Sequence, residues 1–227
     1  MDLHSLEEQF HRPLSRQAYD QFNQLQIILD ELQMPDQPDK WSLKANTPKF
    51  SAIQTYKAIK GPSTSHHLFK LLWKSSNRLT HKIFFWLLFH DRVNTRNLLK
   101  RKKMTLQSYS CALCAENTEE TLSHLFWDCN FARQCWNKIA PQRKRGISSF
   151  DECCFLAEIF PKDIAFDIIV TASWSIWLVQ NDKIFRQAPA HVGGWQYYLQ
   201  ESLKATEIRA RSGITQQLKE WSEQFLT

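Results

Sequence analysis

The sequence predicts a mainly α protein: a multi-helix bundle with one small β-hairpin or extended segment and one short Cys/His loop. Three observations carry this reading. Apolar residues recur at spacings of three and four in one segment after another. Ser and Thr stand where those segments begin, and Pro or Gly where they end. Only five glycines occur in 227 residues, against nine Trp and fifteen Phe, so the chain has material for a large core and little for glycine-rich loops. Three regions are expected: an acidic N-terminal helix and linker over 1–40, a domain around the Cys/His loop over 41–140, and a C-terminal helical extension packed on it over 141–227.

The first helix is predicted over 15–33, with Ser15 as N-cap and Ala18, Phe22, Leu25, Leu29 and Leu32 on one face. Pro35 and Pro38 follow it as a linker. Trp41 to Phe50 reads as the small hairpin or extended segment. Ser51 caps a helix that runs to Lys60 and stops at Gly61 and Pro62. A short helix over Leu68 to Lys74 comes next. The run from His81 to His90 is apolar nearly all round, which places it at the centre of the core. Thr95 caps a helix ending in Lys100-Arg-Lys-Lys103, where cations complement the helix dipole.

Farther on, Thr118-Glu-Glu-Thr reads as a capped helix start and Asn130 as the cap of another helix holding Phe131, Cys135, Trp136 and Ile139. Helices are then expected over Asp151 to Phe160 and Asp163 to Phe185. A last amphipathic series runs from Trp195 to Phe225, with Gly213 as a candidate break.

The net charge of +6 is unevenly distributed. Residues 1–40 carry a net −5, whereas residues 41–110 carry fourteen Lys/Arg against one acid, Asp91, a net +13. Such a block builds a positive field that attracts polyanions, nucleic acid first among them. The alternative is that the basic face docks on the acidic N-terminal segment. No GxGxxG, GxxxxGK[ST], GxSxG or HExxH motif occurs, and no nucleophile stands beside a base, so no enzyme activity is expected. The first thirty residues have no apolar run, and the longest apolar stretch, Ile168 to Val179, is too short to span a bilayer. An intracellular, reducing location, nuclear or cytoplasmic and not secreted, is therefore expected, with no membrane association. The basic runs at 100–103 and 142–145 are candidate import signals.

In such a compartment a CxxC indicates metal or redox chemistry and not a disulfide framework. Cys111-Ala-Leu-Cys114 is followed by His124 and Cys129, giving C-x2-C-x9-H-x4-C. Two thiolates from one tight turn, with an imidazole and a third thiolate from the next helix, form the soft closed set that structural zinc takes. One structural zinc on Cys111, Cys114, His124 and Cys129 is expected. The competing reading makes them small buried residues of a Trp-rich core. Cys135, Cys153 and Cys154 read as buried hydrophobes. His66, His67, His81, His90 and His191 read as packing or surface residues.

Several segments together resemble a known family. They are Phe69-Lys-Leu-Leu-Trp73-Lys, Lys82-Ile-Phe-Phe-Trp86-Leu, Arg92-Val-Asn-Thr95-Arg-Asn-Leu-Leu-Lys-Arg101, the Cys111-x2-Cys114 turn and Glu120-Thr-Leu-Ser-His124-Leu-Phe-Trp-Asp-Cys129. Phe50-Ser51 with Tyr56 before them, and Ala132-x3-Trp136 and Trp174-x2-Trp177-x3-Asn181-Asp-Lys-Ile-Phe185 after them, extend the likeness over about residues 41–185. The order resembles the zinc-binding domain that follows the reverse transcriptase of plant LINE-type (non-LTR) retrotransposons. Three positions depart from the pattern: Ala112 where Pro is frequent, Ala115 where Gly is common, and Gln180 where Arg is usual. The polymerase signature Y-x-D-D is absent.

The resemblance implies a non-catalytic accessory domain that grips RNA or DNA with low sequence specificity, beside a reverse transcriptase polypeptide. The expected phosphate contacts are Lys82, Arg92, Arg96, Lys100, Arg101, Lys102 and Lys103. Trp127 is a candidate for stacking on a base, although closure of the core beneath the metal is the favoured role. The alternative is a structural zinc module that scaffolds protein–protein interaction, with Trp221 and Phe225 as a dimer surface.

Overall fold

The computed structural model describes residues 16–32, 51–61, 66–144, 146 and 148–225. The hairpin expected at 41–50 and the Ser15 cap lie outside the described residues. The chain divides into two units, residues 1–63 and 64–227. The described part of the first unit holds α1 (Arg16–Glu31) and α2 (Ala52–Lys60). Neither buries a residue. The Ser51 hydroxyl accepts from the Gln54 amide, as the sequence predicts, and Gly61 ends α2 at φ 70°, a conformation open to glycine without a steric penalty.

The second unit contains α3 (His67–Lys74), α4 (Leu79–Phe89), α5 (Arg96–Arg101), a π-helical turn (His124–Asp128), α6 (Asn130–Ile139), α7 (Ser149–Ile159), α8 (Ala165–Phe185), α9 (Val192–Glu207) and α10 (Ser212–Phe225). No sheet occurs among the described residues. One isolated antiparallel bridge joins Ser110 to Glu119 around the Cys111–Cys114 turn. The continuous C-terminal amphipathic series is two helices, separated at 208–211.

α8 is the central element, and α4, α7 and α9 pack on it. It is buried on nearly every side from Ala165 to Gln180, as expected of a helix without a polar face. Its interior hydroxyls accept no orphan status: Thr171, Ser173 and Ser175 donate to the carbonyls four residues earlier at 2.6, 2.9 and 2.8 Å. This corrects the expectation for His81 to His90. α4 buries His81, Phe84, Phe85 and Leu88 but leaves Leu79, Ile83 and Trp86 exposed. Both runs are apolar all round, and only packing decides which becomes the hub.

The α3–α4 turn is locked to α8 and α9 by Asn77, which is 1% exposed. Its amide donates to the Phe166 and Asp167 carbonyls, and its oxygen accepts from the Thr171 and Thr206 hydroxyls. Trp221 is buried edge-on against Phe160, so it is core and not an open dimer face. Arg143 is also buried, paired with Glu152 at 2.8 Å and donating to the Trp127 carbonyl. The run at 142–145 is therefore not a fully presented basic signal. No helix among the described residues is long and apolar enough to cross a membrane.

Candidate metal centre

The Cys111–Cys114 turn hangs from two backbone hydrogen bonds that flank the Ser110–Glu119 bridge. The Cys111 amide donates to the Thr118 carbonyl at 2.8 Å, and the Glu120 amide to the Tyr109 carbonyl at 2.9 Å. Asn117 makes the reversal at φ 50°, in the left-handed region that Asn tolerates better than most residues. The Leu113 amide points at the Cys111 sulfur at 3.4 Å.

His124 and Cys129 come from the π-helical turn. Five residues along an α-helix would set two side chains about 140° apart. The wider π turn instead closes a hydrogen bond directly between these two residues, from the Cys129 amide to the His124 carbonyl at 2.6 Å. The turn starts with Thr121, whose hydroxyl accepts from the His124 amide at 3.1 Å. Thr118 is thus not the cap that the sequence suggested, because its carbonyl serves the hairpin-like bridge. Cys129 then occupies the N-cap position of α6, one residue earlier than the expected Asn130.

The four ligand atoms of Cys111, Cys114, His124 and Cys129 all lie within 4.8 Å of one another. The Cys111 and Cys129 sulfurs are 3.8 Å apart, and the Cys114 sulfur is 3.4 Å from His124 Nε2. Zinc bound tetrahedrally at about 2.3 Å to sulfur and about 2.0 Å to nitrogen separates neighbouring ligand atoms by roughly 3.5–3.8 Å. The set fits that ion, and all four positions are filled by protein. These residues hold one structural zinc.

Local chemistry favours the thiolate at Cys129, while burial holds the Cys114 thiol up. The Cys129 thiol is drawn down, first by the hydrogen bond it shares with Cys111 and further by the Ala132 and Phe131 amides at the start of α6, against the opposing effect of burial. Cys111, sharing that bond and buried, is pushed well up. A metal that takes both as thiolates therefore displaces a proton from the pair.

Glu120 supports the centre, and the sequence did not single it out. It is fully buried. One carboxylate oxygen accepts from the Arg96 amide at 3.1 Å and from Gln180 Nε2 at 3.1 Å, and the other from the Ala112 amide at 3.2 Å. It ties the Cys turn, the start of α5 and the end of α8 together. Two departures from the family pattern, Ala112 and Gln180, meet on this carboxylate, and a proline at 112 would have no amide proton to donate. The sequence signal was an acid within the Thr118–Thr121 run, read there as part of a capped helix start.

Of the expected phosphate contacts, Arg96 is half-buried and donates to the Ser110 carbonyl at 2.7 Å, bracing the metal loop. Lys100 pairs with Glu119 at 3.0 Å and Arg101 with Asp91. Lys102 donates to Asn94 Oδ1 at 3.0 Å, and Lys82 to the Trp73 carbonyl at 3.0 Å. Arg92 and Lys103 are exposed. Trp127 is 1% exposed and stacks on Trp136 at 5.1 Å, so it closes the core and does not reach solvent. Cys135 and Cys153 are fully buried and Cys154 partly so. His66 and His191 accept the capping hydrogen bonds of α3 and α9.

A family model described as zinc-binding in reverse transcriptase matches residues 50–136. No curated protein and no solved structure matches the chain. The matched stretch carries all four ligands, the braced turn and the buried Glu120. Residues 50–136 thus match the zinc-binding domain of reverse transcriptases, and the four ligands within them hold one structural zinc.

Proposed function

We propose that the protein is a non-catalytic nucleic-acid-binding module derived from a non-LTR retrotransposon reverse transcriptase. It grips single-stranded RNA or DNA through phosphates, with zinc holding the gripping surface in shape. The observation that carries this is the charge of residues 41–110, fourteen cations against one acid, in the segment that leads into the metal loop. Cations at that density neutralise phosphates and displace counterions without reading bases. Arg92, Lys102 and Lys103 are the residues best placed to do so, since they are exposed and none of them has a carboxylate partner among the described residues. Reduced thiols at the metal centre suit an intracellular compartment.

The test is fluorescence anisotropy with a mixed-sequence single strand at rising salt. Affinity is expected to fall steeply, and a Lys102→Glu, Lys103→Glu variant to bind about tenfold more weakly or worse with a flatter salt dependence. A salt-independent response, or capture of a protein partner that survives this charge reversal without any nucleic-acid binding, favours the scaffold reading instead.

A further inference from the structure

The cations left without carboxylate partners gather at a second place, far from the metal. A cleft of about 740 Å³ lies between the α3–α4 turn, the start of α8 and the α9–α10 turn. Lys74, Lys82, Lys162, Arg209 and Arg211 line it, brought there from separate elements. None of the five forms an ion pair among the described residues. All but Lys82 are exposed.

Two acids share the cleft, Asp163 and Asp167. Asp167 is 1% exposed, accepts the Ser76 amide at 2.7 Å and is pushed up to about 6 by burial. Its Oδ1 is engaged by that amide, and Asp163 is exposed at the cleft. The Lys82 amine is held below its ordinary value by burial, and nearby Arg209 pushes it the same way while Asp167 opposes. Five cations against two acids leave the cleft a net positive charge, which attracts an anion.

Three of the five, Lys162, Arg209 and Arg211, lie outside the family-matched residues 50–136. Asp167 in the cleft and Gln180 beside the metal loop are thirteen residues apart on α8, on the order of 20 Å at 1.5 Å per residue. A stacked strand carries about six phosphates over that span.

We infer that this cleft is a second phosphate-binding site, which takes the phosphodiester backbone of the same single strand that the metal-loop surface grips. The inference rests on the nucleic-acid reading above. Arg supplies paired donors that match phosphate oxygens, and the lysines act as point charges.

The experiment compares three proteins by anisotropy, using a fluorescein-labelled mixed-sequence 20-nucleotide RNA at two salt concentrations. They are the unaltered chain, an Arg209→Glu, Arg211→Glu variant and a Lys102→Glu, Lys103→Glu variant. The cleft variant is expected to lose about tenfold or more in affinity and to lower the salt slope by about two, one per cation removed. An Arg209→Lys, Arg211→Lys variant is expected to keep most of the affinity. If the cleft variant binds like the unaltered chain while the metal-loop variant weakens, this inference falls and the nucleic-acid reading stands. If the lysine variant loses as much as the glutamate variant, the arginines act through structure and the inference falls too. If the unaltered chain binds no RNA and no DNA of that length, both fall together. Zinc content and helical signal, equal across the set, exclude unfolding as the cause.

Discussion

Asp167 shows how one buried group sets a pH dependence. Its carboxyl is pushed from its ordinary 3.8 up to about 6 because burial disfavours the charge. A carboxyl raised in the folded state contributes stability below the unfolded value and loses it as pH rises towards about 6, which amounts to roughly 3 kcal/mol. An Asp167→Asn variant keeps an oxygen for the Ser76 amide and removes the titration. In urea unfolding its stability relative to the unaltered chain is expected to climb by up to about 3 kcal/mol between pH 4 and pH 7; a constant difference refutes the assignment. His81, stacked on Trp174 and lowered by burial to about 4, acts in the opposite sense: its contribution is lost as pH falls below 6.5. Comparing the two proteins at each pH cancels its effect. At this scale the sequence was informative about ligand identity and about Cys135 and Trp127 as core. It was silent on Asp167, whose burial depends on Ser76 and Asn77, some ninety residues away.

At the scale of elements, the Glu120 side chain ties the metal loop to α5 and α8. Removing that carboxylate strands the Arg96 and Ala112 amides and Gln180 Nε2. A Glu120→Ala variant is expected to lose on the order of 3–5 kcal/mol, with unpaired buried donors at about 1–3 kcal/mol each. Chemical denaturation of the zinc-saturated protein checks this, and a loss under 1 kcal/mol overturns the bracing role. Helix boundaries were legible where the cap is local: Ser51 and Thr95 each accept the predicted amide. They were misplaced around the metal, at Thr118 and Asn130. There the backbone answers to the bridge and the π turn, which local spacing does not encode.

For the whole molecule, zinc joins the hairpin-like turn to the π turn and so to the α8 core. Native mass spectrometry is expected to show one zinc per chain, absent after chelation and in a Cys129→Ser variant. With its four-way link lost, that variant is expected to melt roughly 10 °C or more lower, at 2–4 °C per kcal/mol for a chain of this size. An unchanged melting temperature with zinc gone shows that the metal is dispensable for the fold.

The sequence by itself determined the helical class, most helix positions, the four ligands and the cationic character of residues 41–110. Each follows from residue type and near-neighbour spacing, which act along the chain whatever the rest does. Tertiary structure alone decided that α8 and not α4 is the hub, that Glu120 is buried beneath the metal loop, and that Lys100 and Arg101 are paired while Arg209 and Arg211 are not. These outcomes depend on contacts such as Gln180 with Glu120, sixty residues apart. Burial and ion pairing are set by which surfaces meet, and periodicity shows only which surfaces are able to.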